Sequence, residues 1–263
     1  MKDSNRLLRI DEIRGFTLIS MILYHFMWDL KNLAGFKLNF FIGPIGEVWQ
    51  KSICISFILI SGFCFSMGKN RFKRSLIVFL GGALITAITI VFMPENRIVF
   101  GVLTFLGFAG MIMIPINKAI ANIESVLNKS TFDLTMIIGN LLLFIVFYPV
   151  NYGYIFVFRK VLLPKYLYKG YMATFLGFSD PHFFSQDYFS IFPWVFLYCL
   201  GYFLYKLFID NMSTIKASGN AVIDYLKKSR FNIISRIGKK TLLIYMLHQP
   251  VLYVITLIIQ NIR

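Results

Sequence analysis

The chain has 263 residues, of which 57% are hydrophobic and only 15% charged, where a soluble domain carries about 25% charge. With 29 Phe and 14 Tyr such a surface would aggregate in water, which excludes a soluble globular protein and points to a chain covered by lipid. The formal net charge of +15 would suit nucleic acid, but the basic residues fall in short runs between apolar stretches, so membrane topology and anionic lipid explain them better.

The N-terminus is polar and charged, and the first apolar run lacks a small-x-small cleavage site, so that run is expected to stay as a helix. A spanning helix needs about 20 apolar residues. The first candidate, 15–28, has 14 residues and reaches spanning length only if Arg14 and Asp29 are counted into it. After it come 52–68, 75–94, 98–117, 134–158, 188–205 and 241–262, each free of Asp, Glu, Lys and Arg. The expected fold is therefore all-α: a polytopic helical bundle of about seven transmembrane helices forming one domain over 1–263. With a cytoplasmic N-terminus, the inner segments hold Lys2, Arg6, Arg9, Arg14, the 69–74 cluster, Lys118, Lys129 and the basic residues of 206–240, together 18 of the 27 Lys and Arg. That bias supports the orientation. Arg159, Lys160, Lys165 and Lys169 argue against an eighth span in 155–178. Two connections are long. Residues 159–187 form an outer loop rich in aromatics, and 209–240 form an inner segment. In the latter, Ile215, Ile223, Leu226, Ile234 and Ile237 among basic residues fit an interfacial amphipathic helix. Cys54, Cys64 and Cys199 lie in apolar runs and read as packing residues, and no metal-ligand spacing is present.

The polar residues inside the spans are the candidates for chemistry. Arg14 and His25 lie 11 positions apart, about 16 Å along a helix, so Arg14 belongs near the cytoplasmic edge and His25 deep in the membrane. Asp29 follows His25 by one turn on the same face and is placed to hold one ring nitrogen. The other reading of this pair is interhelical packing. The last span carries Tyr245, His248 and Gln249 ahead of Pro250, which is expected to kink the helix and free a backbone carbonyl, as cavity-lining helices often do. Asp187, Tyr188 and Trp194 suit a sugar, since a carboxylate accepts from hydroxyls and rings cover apolar sugar faces; composition alone favours the other reading, an aromatic belt at the membrane surface. Arg9, Arg71, Arg74, Lys239 and Lys240 fit positive-inside topology and also a polyphosphate ligand.

The opening Arg9-Ile10-Asp11-Glu12-Ile13-Arg14-Gly15, the Tyr24-His25-Phe26-Met27-Trp28-Asp29 stretch, the Asp187-Tyr188 to Pro193-Trp194 stretch and the ending Ile237-Gly238-Lys239-Lys240 to His248-Gln249-Pro250 resemble the heparan-α-glucosaminide N-acetyltransferase-like catalytic domain family. Arg14, ten residues, then His25 is also similar to a pattern of the wider membrane acyltransferase superfamily. Where that family reads Asp-Tyr-Phe-Pro, Ser190 follows Phe189 here.

The resemblance implies a multi-pass enzyme of the plasma membrane. Acetyl-CoA would be its cytosolic donor, and a hydroxyl or amine of an extracytoplasmic glycan or lipid-linked saccharide its acceptor. It implies His25 as the catalytic histidine and Arg14 beside the acyl donor. With that donor and acceptor, the residues' own chemistry makes His25 the general base with Asp29 orienting it, and puts Arg9, Arg71, Arg74, Lys239 and Lys240 also around the donor. It has His248, Gln249 and Tyr245 line the cavity and stabilise the oxyanion, and lets Asp187, Tyr188 and Trp194 meet the acceptor. No cofactor metal is implied, and the chain would act alone or as a homodimer. Without a long luminal N-terminal region, a bacterial envelope glycan is expected in preference to heparan sulfate. The rival is a proton-coupled transporter or flippase using His25, Asp29 and His248 as a relay, which predicts paired broken helices in two related halves.

Overall fold

The computed structural model describes residues 6–124, 128–211 and 218–262; Lys2 and Ile215 lie outside them. In chain order the elements are α1 (Leu8–Asn32), the short α2 (Asn39–Ile42), α3 (Pro44–Phe65), α4 (Arg71–Phe92), α5 (Val102–Glu124), α6 (Lys129–Phe147), β1 (Tyr154–Val157), β2 (Arg159–Leu162), α7 (Gly170–Leu176) and α8 (Trp194–Tyr205). A π-helical turn, Lys206–Asn211, ends α8; α9 (Ser218–Lys227), α10 (Asn232–Lys239) and α11 (Thr241–Ile262) follow. Long helices are what lipid demands, because their backbone polar groups pair within one segment.

Five stretches of the described residues are long and apolar enough to cross a membrane: α3, α4, α5, Lys129–Tyr152 and α11. They make the chain a helical membrane protein. Their outer faces are apolar and uncovered: only 17% of the apolar window of α4, and 11% of those of Lys129–Tyr152 and α11, is buried within the protein. Two expected spans fall short of these limits. α1 runs for 25 residues but carries Arg14 near one end and Asp29 and Lys31 near the other, and α8 is 12 residues long.

Two expected boundaries are corrected. The apolar run 134–158 is not one helix: Asn128 caps α6 by accepting from the Ser130 and Thr131 amides, the helix ends at Phe147, and residues 154–162 fold into an antiparallel hairpin. Pro149 and Gly153, the latter at φ +88°, break the helix there. The run 188–205 likewise becomes helical only at Trp194.

The chain divides into two compact units. The first comprises residues 1–57 and 215–263, joining the two ends of the chain. There α1 packs against α9, α10 and α11. Small residues permit the approach: a Cβ on Gly15 would overlap the Ile234 carbonyl, and one on Gly238 would overlap the Asp11 carbonyl. Leu18, Met21, Ile53 and Phe57 form the buried centre of this unit, ringed by Tyr24, Trp49, Ile237, Ile244 and Tyr245. The Trp49 indole donates to the Ser20 hydroxyl at 2.8 Å.

The second unit comprises residues 58–214. Gly82, Gly107 and Gly110 of α5's pairing with α4 sit against Thr104, Phe79 and Ser75, and the end of α3 meets α8 through Gly62 on Tyr198 and Gly201 on Leu59. α6 meets α8 through aromatic pairs, Phe144–Trp194 and Phe147–Phe196, each with ring centroids 5.6 Å apart. The buried Tyr202 hydroxyl donates to Asn117 at 2.6 Å, and Lys206 pairs with Glu124 at 2.5 Å.

Candidate active site

The first unit holds most of the expected functional residues. At the start of α1, Asp11 is nearly fully buried and pairs with Arg6 at 2.5 Å and with Arg14 at 3.2 Å. Glu12, equally buried, pairs with Arg9 at 3.3 Å. One oxygen of Glu12 also accepts from the Ser229 hydroxyl (2.6 Å) and from the Arg230 and Phe231 amides (2.5 and 2.6 Å). Phe231 precedes α10 and caps it with no side chain of its own, so Glu12 supplies that cap from the other end of the sequence. The Arg9 guanidinium lies over the Tyr225 ring, 4.7 Å from its centroid.

Gly238 packs against Asp11 and Gly15, which brings Arg14 and the Lys239–Lys240 pair to one end of the unit. Arg9 and Arg14 are thereby held by carboxylates, as positioned cations rather than free ones. The two acids of the opening motif were legible only as members of it. Their signal, carboxylates one turn from Arg9 and Arg14 on a helix start, marks ion pairs but not the amides that Glu12 captures.

Further along α1, His25 meets His248 of α11 with ring centroids 4.9 Å apart. Tyr245 flanks His248 at 5.4 Å and stacks edge-on to Phe57 at 6.2 Å. Tyr24 lies between His25 and Trp49. Asp29 is completely buried, and its partner differs from the expected one: both carboxylate oxygens face the Gln249 amide nitrogen, at 3.0 and 3.2 Å. The carboxylate thus ties α1 to α11 instead of holding the His25 ring. α11 also runs through Pro250 without a break in the helix.

Hydrogen-bond polarity follows from these partners. The Nδ1 of His248 bonds the Tyr245 carbonyl, and a carbonyl only accepts, so Nδ1 carries the proton and a neutral ring presents Nε2 as an acceptor. That Nε2 is buried without a partner among the described residues, and so is the Gln249 Oε1. Because the Gln249 amide nitrogen is directed at Asp29, the group left over is again an acceptor.

Asp187, Tyr188 and Trp194 belong to the second unit, where each has a structural partner. The Asp187 carboxylate accepts from the Val102 amide at 3.0 Å, capping α5, while Ser185 accepts from Val99 at 2.9 Å, and the Gln186 and Phe189 amides donate to Arg97 and Phe100. Burial pushes the Asp187 carboxyl up to about 6, against the opposing pull of the Val102 amide. Tyr188 donates to the Thr174 carbonyl at 2.5 Å, and burial raises its phenol to about 12. Trp194 packs on Phe144, Tyr148 and Phe189. Ser190, where the family stretch has Pro, is fully buried and donates to the Phe192 carbonyl at 2.5 Å. Arg71 stacks on Phe65 at 5.2 Å, and Arg74 lies against Gly68, in the turn between α3 and α4.

Two histidines beside a buried carboxylate, brought together by α1 and α11 of a helical membrane protein, make a candidate functional site. The model of the heparan-alpha-glucosaminide N-acetyltransferase catalytic family matches residues 6–250, and the chain belongs to that family. It is thereby placed among acetyltransferases. No curated protein and no solved structure matches the chain.

Proposed function

We propose that this protein transfers the acetyl group of acetyl-CoA to a hydroxyl or amine of an extracytoplasmic glycan or lipid-linked saccharide, with His25 as the general base. The observation that carries the reading is the polarity of the first unit's buried groups. His248 Nε2 and Gln249 Oε1 are unpartnered acceptors, and no hydrogen bond to the His25 ring is made among the described residues. A site made of acceptors suits a ligand that brings an O–H or N–H. It suits an oxyanion poorly, so His248 and Gln249 belong with the acceptor substrate rather than with an oxyanion hole.

In the step, the acceptor oxygen or nitrogen attacks the thioester carbonyl while its proton passes to a ring nitrogen of His25. The tetrahedral intermediate collapses with loss of the CoA thiolate, which takes the proton back from the imidazolium. The products are acetylated acceptor and CoA thiol. Asp29 acts through Gln249 as a positioning residue. Arg14, Arg9, Lys239 and Lys240, at one end of α1, suit the phosphates of the donor; a helix rise of about 16 Å from Arg14 to His25 is within reach of an extended pantetheine arm. Arg71 and Arg74 are donor-side candidates by charge. Asp187, Tyr188 and Trp194 serve the acceptor side by fixing the loop that carries them. This reading adds α1 and α8 to the five apolar stretches as spans, with the N-terminus cytoplasmic and the protein in the plasma membrane.

The test is acetyl transfer from radiolabelled acetyl-CoA to envelope glycan in proteoliposomes. His25→Ala should lower turnover by about 10²–10⁴-fold, the range of a lost general base, while CoA still binds. Undiminished turnover in His25→Ala would refute the assignment. The proton-relay reading gains nothing from a match to an acetyltransferase family.

A further inference from the structure

The hairpin β1–β2 stands out from the second unit. Phe158 at its tip is fully exposed, Phe156 is half exposed and Leu162 is 73% exposed. Val157 pairs with Arg159 and Phe156 with Lys160 across the strands, so the tip presents aromatic and basic groups together. The Lys160 ammonium sits 4.4 Å from the Tyr154 ring centroid. A lone two-stranded hairpin is marginal in water, and an apolar tip of this kind marks an interaction surface.

Position and charge say what covers it. The hairpin begins two residues after the candidate span Lys129–Tyr152, just beyond the Tyr148–Trp194 pair, the residue types that sit at headgroup level. The Gly153–Leu163 and Val150–Tyr168 hydrogen bonds fasten its base there. Between Asp133 and Asp180 the sequence has no acidic residue, while Arg159, Lys160, Lys165 and Lys169 all lie on or just after the hairpin. Open strand edges keep it out of the hydrocarbon core, leaving the headgroup layer.

We propose that the β1–β2 hairpin is a lipid-binding arm that seats Phe158 among the headgroups of the surrounding bilayer, with Arg159 and Lys160 on the phosphates of anionic phospholipid. The partner is the membrane itself on the side where the span before the hairpin emerges, and the arm works independently of the acetyl-transfer reading. It holds the loop between the hairpin and α8 at a fixed depth.

The experiment labels Val157→Cys with an environment-sensitive fluorophore in the full-length protein, in nanodiscs of phosphatidylcholine with or without phosphatidylglycerol. Wild-type protein labelled in parallel gives the background from Cys54, Cys64 and Cys199. Expected are blue-shifted emission and quenching by lipids spin-labelled near the headgroup, stronger with phosphatidylglycerol and weakened by salt. Arg159→Ala and Lys160→Ala should each shift the quenched-to-free ratio by roughly five-fold, the worth of one basic side chain near an anionic surface. Water-like emission in both bilayers overturns the proposal, as does quenching indifferent to phosphatidylglycerol. Emission that shifts only when a soluble anionic polysaccharide is added also overturns it, and would make the hairpin a glycan-binding element.

Discussion

Asp29 is the residue on which the first unit turns. A carboxylate with no exposure is tolerated because the Gln249 amide faces both its oxygens. Truncating one member leaves the other unsatisfied, so Gln249→Leu or Asp29→Leu alone should destabilise the protein by about 1–3 kcal/mol. The Asp29→Leu/Gln249→Leu pair should lose clearly less than the sum of the singles. Thermal melts of the four proteins in one detergent close this cycle, and additive losses would deny the coupling. Asp29 itself was conspicuous in the sequence, a charge at the edge of a short apolar run. Its partner was not, because it stands 220 positions away and the nearer His25 offered a simpler pairing.

Among the elements, the caps that cross the sequence matter most. Glu12→Ala strips the start of α10 of three hydrogen bonds and leaves Arg9 without its carboxylate. Because these donors stand in residues that solvent reaches, a loss of about 0.5–1.5 kcal/mol is expected, read as a lower melting temperature and faster amide exchange at 229–235.

Asp187 caps α5 in the same manner, with a pH dependence. Its folded-state value of about 6 lies above the ordinary 3.8, so the protonated carboxyl is the form the fold favours. The stability it contributes is complete below the unfolded value and is lost as pH rises through about 6. Asp187→Asn keeps an acceptor for the Val102 amide without the charge. The melting temperature of the wild type relative to this variant should therefore fall between pH 4 and pH 7.

The helices themselves were legible from apolar length. Where an apolar run did not mean helix, as in 155–157 and in 190–192, turn-forming Pro149, Gly153 and Pro193 overrode hydropathy. The partners of Asp187 and Tyr188 were hidden for a different reason: Val102 and Thr174 are 85 and 14 positions off, and local spacing in the sequence carries no trace of them.

At the scale of the molecule, the bilayer is the solvent that composition anticipated. The outward faces of α4 and α11 carry Leu80, Leu84, Val91, Val251, Val254 and Ile258, all about half exposed or more. A basic residue at the middle of such a face is disfavoured by roughly 2.5–3.5 kcal/mol. Val254→Lys should thus lower the yield of membrane-inserted protein sharply, whereas Lys at the exposed Tyr166, in the loop after the hairpin, should leave it unchanged. Fractionation of membranes with a fluorescent C-terminal fusion would measure both. Five apolar stretches announced themselves in the sequence. α1 and α8 are harder to read because one is interrupted by charge and the other is short.

The pairing of α1 with α11 also sets an order of events during synthesis. Gln249 and His248 leave the ribosome some 220 residues after Asp29 and His25. At about 5–20 residues per second that is an interval of roughly 10–45 s. Throughout it, a carboxylate destined for complete burial has no native partner. The nascent α1 must wait at the translocon, at the membrane surface or with a chaperone until α11 arrives. The Asp29–Gln249 pair thus closes only once α11 has been made, and a ribosome that stops before α11 leaves behind a membrane fragment with an unmatched charge, a ready mark for quality control.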